Sequence, residues 1–247
     1  MTLNTYDVVY LSPHLDDAVL SCGGQMAARA RRGESVLVYT PAAGDPPDHL
    51  SPLALHLHEA WGLAPDAAMR RAEDERACAV LGVTARHGDA PDALYRRHPG
   101  NGEPLYPTQE SLFSVPHPED RVAQDWEKDF RALPKAKRYM APLAIGDHVD
   151  HQLVRRAAEQ VFGSALQYYE DYPYCGKRMA LLRYTLTPWQ WRAQRIPLSA
   201  EDVAARCRAV MMYDSQVDML FNGRANVEPK IRSYVRRVGG ERVWSLR

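Results

Sequence analysis

The sequence predicts an α/β protein in which a mostly parallel sheet carries helices on both faces. Three observations lead there. Short apolar, β-rich runs alternate with stretches of helical periodicity through the N-terminal two-thirds of the chain. Helical stretches close on glycines, Gly33 and Gly82 among them. The chain has 247 residues, 45% of them hydrophobic, which suits one domain with a full core spanning 1–247.

In order, "DVVYLS" (7–12) is the first strand. Val19, Cys22, Met26 and Ala30 then recur at helical spacing up to Arg31–Arg32. "SVLVYT" (35–40) is a second strand, ended by Pro41. Residues 66–82, "DAAMRRAEDERACAVLG", are rich in helix formers. "RYMAPLA" (138–144) is another strand, and Val154, Ala157, Ala158 and Val161 mark a helix over about 149–162. "ALQYYED" (165–171) is a further strand. Strands alternating with helices in this way become parallel neighbours. Segments 41–65 and 87–120, rich in Pro, His, Gly and Asp, read as long irregular loops of the kind that often carry function. "LLRYTLTPWQWRAQRIPLS" (181–199) reads as strands or a hairpin, a C-terminal β-extension beside the core. Ser199, with Asp202 three residues on, is an N-cap, and Val203, Cys207, Val210 and Met211 give the following helix its apolar face.

Composition narrows the function. The 31 basic and 31 acidic residues cancel, so nothing draws the chain to nucleic acid or to an anionic membrane. No signal-peptide pattern opens it and no run approaches the ~18 apolar residues of a membrane span, so a cytoplasmic protein is expected. Cys22, Cys78, Cys175 and Cys207 are scattered without a CxxC pair and read as small buried apolar residues. There is no GxxxxGK[ST], GxGxxG or GxSxG, which argues against a phosphate loop in "SCGG", a dinucleotide site and a nucleophile elbow.

Two clusters carry the chemistry: Pro13-His14-Leu15-Asp16-Asp17, and His148, Asp150 and His151 in "GDHVDH". Each follows a predicted strand and opens a predicted helix, so both fall at the same end of the sheet. Either alone also reads as a helix start, since an aspartate there satisfies unpaired N–H groups. Together they suit a catalytic metal site with three protein ligands and room for water. His14, Asp17 and His151 fit as metal ligands, Asp16 as general base, His148 as a second catalytic group, and Asp150 as the carboxylate that orients His148 and raises its pKa. Zinc is the expected ion, and iron(II) suits a His/Asp/His set as well. His49, His56 and His58 lack supporting acids.

"PHLDDAVLSCGG" with "GDHVDH" resembles the LmbE-like, or PIG-L, family of zinc-dependent N-deacetylases, whose motifs are (A/P)HxDD and HxDH. "MRRAEDERACAVLG" is similar to the family's RxxE…LG helix through Arg70 and Glu73, "YYEDYPY" (168–174) to a strand-end motif, and "ARCRAVMMYDSQ" (205–216) to a helix ending in YxSQ. The resemblance implies a Rossmann-like three-layer α/β sandwich and hydrolysis of an acetyl, or other acyl, group from the nitrogen of an amino sugar or N-acetylglucosamine conjugate. It implies the same ligand and catalytic assignments and adds Arg70 as a contact to sugar hydroxyls. Where some members carry a tyrosine two residues before HxDH, this chain has Gly146; Tyr95, Tyr106 and Tyr172 are the candidate replacements. Arg86, Arg96 and Arg97 are available should the conjugate be acidic. The expected partner is thus a small amino-sugar molecule, with neither nucleic acid nor membrane; a homo-oligomer is left open. A phosphoesterase or other metal hydrolase, and a sugar-binding relative without catalysis, are the competing readings. The first needs more carboxylates than can be assigned, and the second needs neither Asp16 nor His148.

Overall fold

The structure is a computed structural model that describes residues 5–61, 67–176 and 190–247. The N-terminal elements follow the sequence closely: β1 Val8–Leu11, α1 Asp17–Arg31, β2 Val36–Thr40, α3 Ala67–Leu81 and β3 Thr84–His87. Between β2 and α3 lies α2, Pro52–Trp61, in the segment expected to be irregular. Its start is nonetheless written in the chain: Pro52 occupies the first turn, and the Ala54 N–H donates to the Ser51 hydroxyl at 3.1 Å. The second expected loop contains a single 3-10 turn, Ala93–Tyr95, and the one-turn helix α4, Gln109–Leu112. Next come α5 Val122–Ala132, β4 Tyr139–Pro142, α6 Val149–Phe162 and β5 Leu166–Tyr169. Val122, Trp126 and Phe130 recur at helical spacing and bury the inner face of α5.

Beyond residue 190 run β6 Trp191–Ile196, α7 Ala200–Val210, α8 Asp214–Phe221, α9 Val227–Val238 and β7 Glu241–Leu246. The strands or hairpin expected over 181–199 are met by β6, a strand that extends the sheet. Residues 181–189 lie outside the described residues, and β6 pairs antiparallel with the C-terminal β7. The Ser199 cap stands: its hydroxyl accepts from Asp202 N–H while the Asp202 carboxylate accepts from Ser199 N–H.

One seven-stranded sheet has the order β3-β2-β1-β4-β5-β7-β6. The first five strands are parallel and the last two antiparallel. Helices α1, α3 and α7 pack together as one layer, and α5 and α6 as another. β1 and β4 are buried along almost their whole length, as parallel strands covered on both faces must be. A second, smaller cluster of Ala54, Leu94, Leu105, Tyr106 and Leu112 on Val149 gives the loop-rich segments their own apolar support. The four cysteines are free and buried.

The glycines of "SCGG" answer to packing. A Cβ at Gly23 would stand 3.0 Å from the Arg206 side chain, and one at Gly24 would overlap Leu198 and Glu241. The Glu241 carboxylate accepts from Gly24 and Gln25 N–H at 3.0 and 2.9 Å, and Arg206 Nη1 reaches Glu241 at 3.1 Å. A fully buried ion pair thus locks α7 and β7 against the middle of α1. Among the described residues, no helix is long and apolar enough to cross a membrane.

Candidate active site

The strand order reverses between β1 and β4, and the chain leaves both strands at the same sheet edge. A crevice at the carboxyl ends is the expected consequence. The turn after β1 supplies His14, Asp16 and Asp17, that after β4 supplies His148, Asp150 and His151, and the end of β5 supplies Asp171 to Tyr174. The two sequence clusters, more than a hundred residues apart, therefore meet.

Their meeting point is Asp17. Its Oδ2 accepts from the His14 N–H at 2.9 Å and stands 3.2 Å from both His14 Nδ1 and His151 Nε2. The remaining nitrogen of each ring faces a carboxylate: His14 Nε2 lies 2.9 Å from Asp150 Oδ2, and His151 Nδ1 lies 2.7 Å from Asp171 Oδ1. Two imidazole nitrogens and one carboxylate oxygen converge, each imidazole backed by a buried acid. That donor set fits a divalent ion. His148 joins the same group, offering a nitrogen within 4.8 Å of those of His14 and His151.

Local structure separates the two aspartates. The α1 N-terminus is capped by Ser12, whose hydroxyl accepts from Ala18 N–H at 2.9 Å, and Asp16 makes no side-chain cap bond. The helix-start reading of Asp16 is thereby removed. Its backbone sits at φ 151°, a strained setting for a residue with a Cβ, and its carboxylate has the Arg70 guanidinium at 4.0 Å. Burial, then the charge of Asp17, push Asp16 up to about 8, against the pull of Arg70. Burial also works against ionised Asp17, but His151 and His14 outweigh it and hold Asp17 well below the carboxylate range. His151 rises to about 10 despite burial, because Asp17 and Asp171 favour its cation. Groups this strongly and oppositely shifted mark a site built around charge.

His148 differs from expectation. It is the N-cap of α6, its Nδ1 accepting from the Asp150 N–H at 3.2 Å, so its proton resides on Nε2. Burial and then the neighbouring His14 hold it down at about 4, the opposite of the expected rise, although the Asp150 charge does act upward. Asp150 orients His148 through its backbone, and its carboxylate serves His14 and the Ala93 N–H.

His14, Asp16, Asp17, His148 and His151 line a cavity of about 310 Å³. Arg70 and Gln216 supply polar wall, and Leu57, Phe113, Met219 and Leu220 supply apolar wall. Arg70 lines the cavity, and its buried Nε has no hydrogen-bond partner among the described residues. Its neighbours on α3 explain the paired helix motifs. Glu73 accepts from the Ser215 N–H and hydroxyl at 2.9 and 2.6 Å, and Asp74 accepts from the Tyr213 hydroxyl at 2.6 Å. The clamp fixes α8, and with it Gln216, Met219 and Leu220, at the cavity. Gly146 has φ 104°, and a Cβ there would stand 2.8 Å from the Tyr174 ring. Tyr174, absent from the three candidates, fills that space. Of those three, Tyr95 and Tyr172 line the cavity, whereas the Tyr106 hydroxyl is bound to Asp120. Arg96 and Arg97 are engaged internally, Arg96 with Asp120 and Arg97 with the Gly102 and His49 carbonyls. Asp92, Asp171 and Tyr174 are site residues that spacing did not reveal.

The chain matches known proteins along this same framework. The model of the PIG-L family, described as GlcNAc-PI de-N-acetylase, matches residues 9–162, more than half of the chain. The 2'-N-acetylparomamine deacetylase of Niallia circulans is 28% identical over 239 residues, covering 89% of this chain and 84% of that protein. A deacetylase of the teicoplanin biosynthesis pathway, solved as a bog complex, superposes with a TM-score of 0.83 at 31% identity, covering 97% of both chains. The zinc-inhibited form of teicoplanin deacetylase Orf2 superposes with a TM-score of 0.77 at 30% identity and the same coverage. With both HxDD and HxDH at the crevice and the family model matched across them, the chain belongs to the PIG-L family of de-N-acetylases.

Proposed function

We propose that this protein is a zinc-dependent deacetylase that hydrolyses the amide of an N-acetylated amino sugar carried on a larger conjugate. The convergence of His14, Asp17 and His151 at one cavity wall, with the Asp16 carboxylate beside them and not spent on capping the helix, carries the reading. The relatives named above, deacetylases of N-acetylparomamine and of the teicoplanin pathway, support the amino-sugar amide as the bond.

His14, Asp17 and His151 would hold the ion. When bound, zinc supplies Lewis acidity and brings the pKa of water to about 7. Asp16, raised by burial and by Asp17 in the metal-free protein, would be ionised beside a bound cation and takes a proton from the water that attacks the acetyl carbon. His148, neutral with its proton on Nε2, donates a hydrogen bond to the oxygen on which charge develops. The C–N bond then breaks, and the proton held by Asp16 goes to the departing amine, leaving acetate and the free amino sugar. Asp150 and Asp171 keep the two imidazoles in their rotamers and tautomers. Tyr174, its phenol kept protonated by burial and by the charges of Asp17, Asp16 and Asp171, is a further donor beside the carbonyl. Arg70, on the polar wall of the cavity, binds sugar hydroxyls.

The mouth supports a conjugate over a free sugar. Phe113 and Met219 remain 37% and 45% exposed at the rim, and Leu57 and Leu220 continue the apolar wall inward. Such a wall suits an apolar or aromatic group attached to the sugar. The test is acetate release from a panel of N-acetylated amino sugars, free and with polar or aromatic aglycones, with and without chelator. Chelator-sensitive release, fastest on aromatic conjugates, is expected; no release from any member would overturn the reading. Restoring the chelated enzyme with zinc or iron(II) assigns the metal.

A further inference from the structure

Behind the cavity, a line of buried charge runs away from His14. Asp150 is completely buried; one carboxylate oxygen faces His14 Nε2 at 2.9 Å and accepts from Ala93 N–H at 2.9 Å. Its other oxygen stands 2.6 Å from Arg96 Nη2. Arg96, only 7% exposed, also donates through Nε and Nη2 to Asp120 Oδ2 at 3.0 and 2.8 Å, and through Nη1 to the Pro91 carbonyl at 3.2 Å. The rings of Tyr106 and Trp126 each lie 5.7 Å from its guanidinium carbon. Asp120 in turn accepts from the Tyr106 hydroxyl at 2.7 Å.

We propose that Arg96 and Asp120 are a positioning pair that fixes the Asp150 carboxylate and, through it, orients the His14 imidazole for metal binding. The proposal rests on His14 being a metal ligand. A buried ion pair seldom adds stability over well-packed apolar side chains, so stability alone does not account for three charged groups here. Orientation does. The planar guanidinium is held by Asp120 through Nε and Nη2 and by the Pro91 carbonyl through Nη1, which sets Nη2 at 2.6 Å from Asp150; one ammonium nitrogen does not offer that spread of donors. Asp150 carries its oxygens on one planar group, so fixing one against Arg96 fixes where the other meets His14. The segment between β3 and α5 thereby reaches the metal site through Ala93 and Arg96, although it places no metal ligand in the set.

The test is zinc affinity by chelator competition, with the visible spectrum of the cobalt(II) form, on the full chain. Wild type, His151→Ala, Arg96→Met, Arg96→Lys and the double variant Arg96→Met/Asp120→Leu are compared. Wild type should bind one equivalent and His151→Ala should lose it. Arg96→Met should weaken affinity by about 10- to 100-fold and alter the cobalt bands, as loss of an outer partner of a ligand does. The double variant removes the unpaired Asp120 charge; it should regain thermal stability yet remain weak in zinc binding, because Asp150 still lacks its anchor. Arg96→Lys should also bind more weakly, and it carries the readout with the double variant should Arg96→Met not fold. Wild-type affinity and an unchanged cobalt spectrum in the Arg96 variants would overturn the positioning role while leaving the metal site intact. A wild type that binds no metal would overturn the underlying reading and this one with it.

Discussion

Among the described residues, no hydrogen bond engages the Asp16 carboxylate. Ser12 caps the helix in its place, Asp17 turns back to the His14 N–H, and Arg70 stands off at 4.0 Å. A strained backbone at φ 151° holds a buried acid with its function unspent. Asp16→Asn keeps shape and removes the base, so turnover should fall by about 10²- to 10⁴-fold with metal content unchanged; near-normal acetate release would exclude Asp16 as base. Residues of this kind were legible because each cluster is local: HLDD and HVDH put chemistry at two strand ends by spacing alone. Asp171 and Tyr174 lie within "YYEDYPY" with no local sign of a role, because that role comes from distant neighbours, His151 for Asp171 and Gly146 for Tyr174. The same limit misassigned the Asp150 carboxylate to the nearer histidine in sequence, when its partner is His14, 136 residues away.

Elements with their own terminal signals were the readable ones. α1, α3, α6 and β1, β2, β4 and β5 lie where periodicity and glycine stops put them. α2 was hidden by its Pro- and His-rich surroundings, though Ser51–Pro52 marks its start. β7 was hidden because its partner β6 lies 45 residues earlier at Ile196–Glu241 and further at its outer end. The α7 cap offers a test at this scale. Burial alone would raise Asp202, but Arg31 and Ser199 outweigh it and its folded pKa lies below the ordinary value. A depressed carboxylate contributes stability that is complete above its unfolded pKa, about 4, and is lost as pH falls through the lower folded value. Asp202→Asn should therefore lower the Tm at pH 7, and the gap from wild type should shrink in acid below about pH 4. A gap independent of pH would show that the charge of Asp202 is not what stabilises the cap.

At the scale of the molecule, topology does the assembling. The order β3-β2-β1-β4-β5 reverses between β1 and β4, and that reversal alone brings residues 14–17 and 148–151 to one crevice. The antiparallel pair β7-β6 extends the sheet beyond β5, and the Arg206–Glu241 pair ties this C-terminal part to α1, whose first turn holds Asp17. The apolar cluster around Val149 does the same for α2 and the loop-rich segments, so the cavity rim rests on its own small core. His14, Asp17 and His151 are proposed to form a metal site that hydrolyses an N-acetyl amide. Its most direct measurement is metal content and acetate release on the same preparations of wild type and His151→Ala. Wild type should hold one equivalent of metal and show chelator-sensitive acetate release, and His151→Ala should lose both. Full metal occupancy or undiminished acetate release in His151→Ala would contradict it.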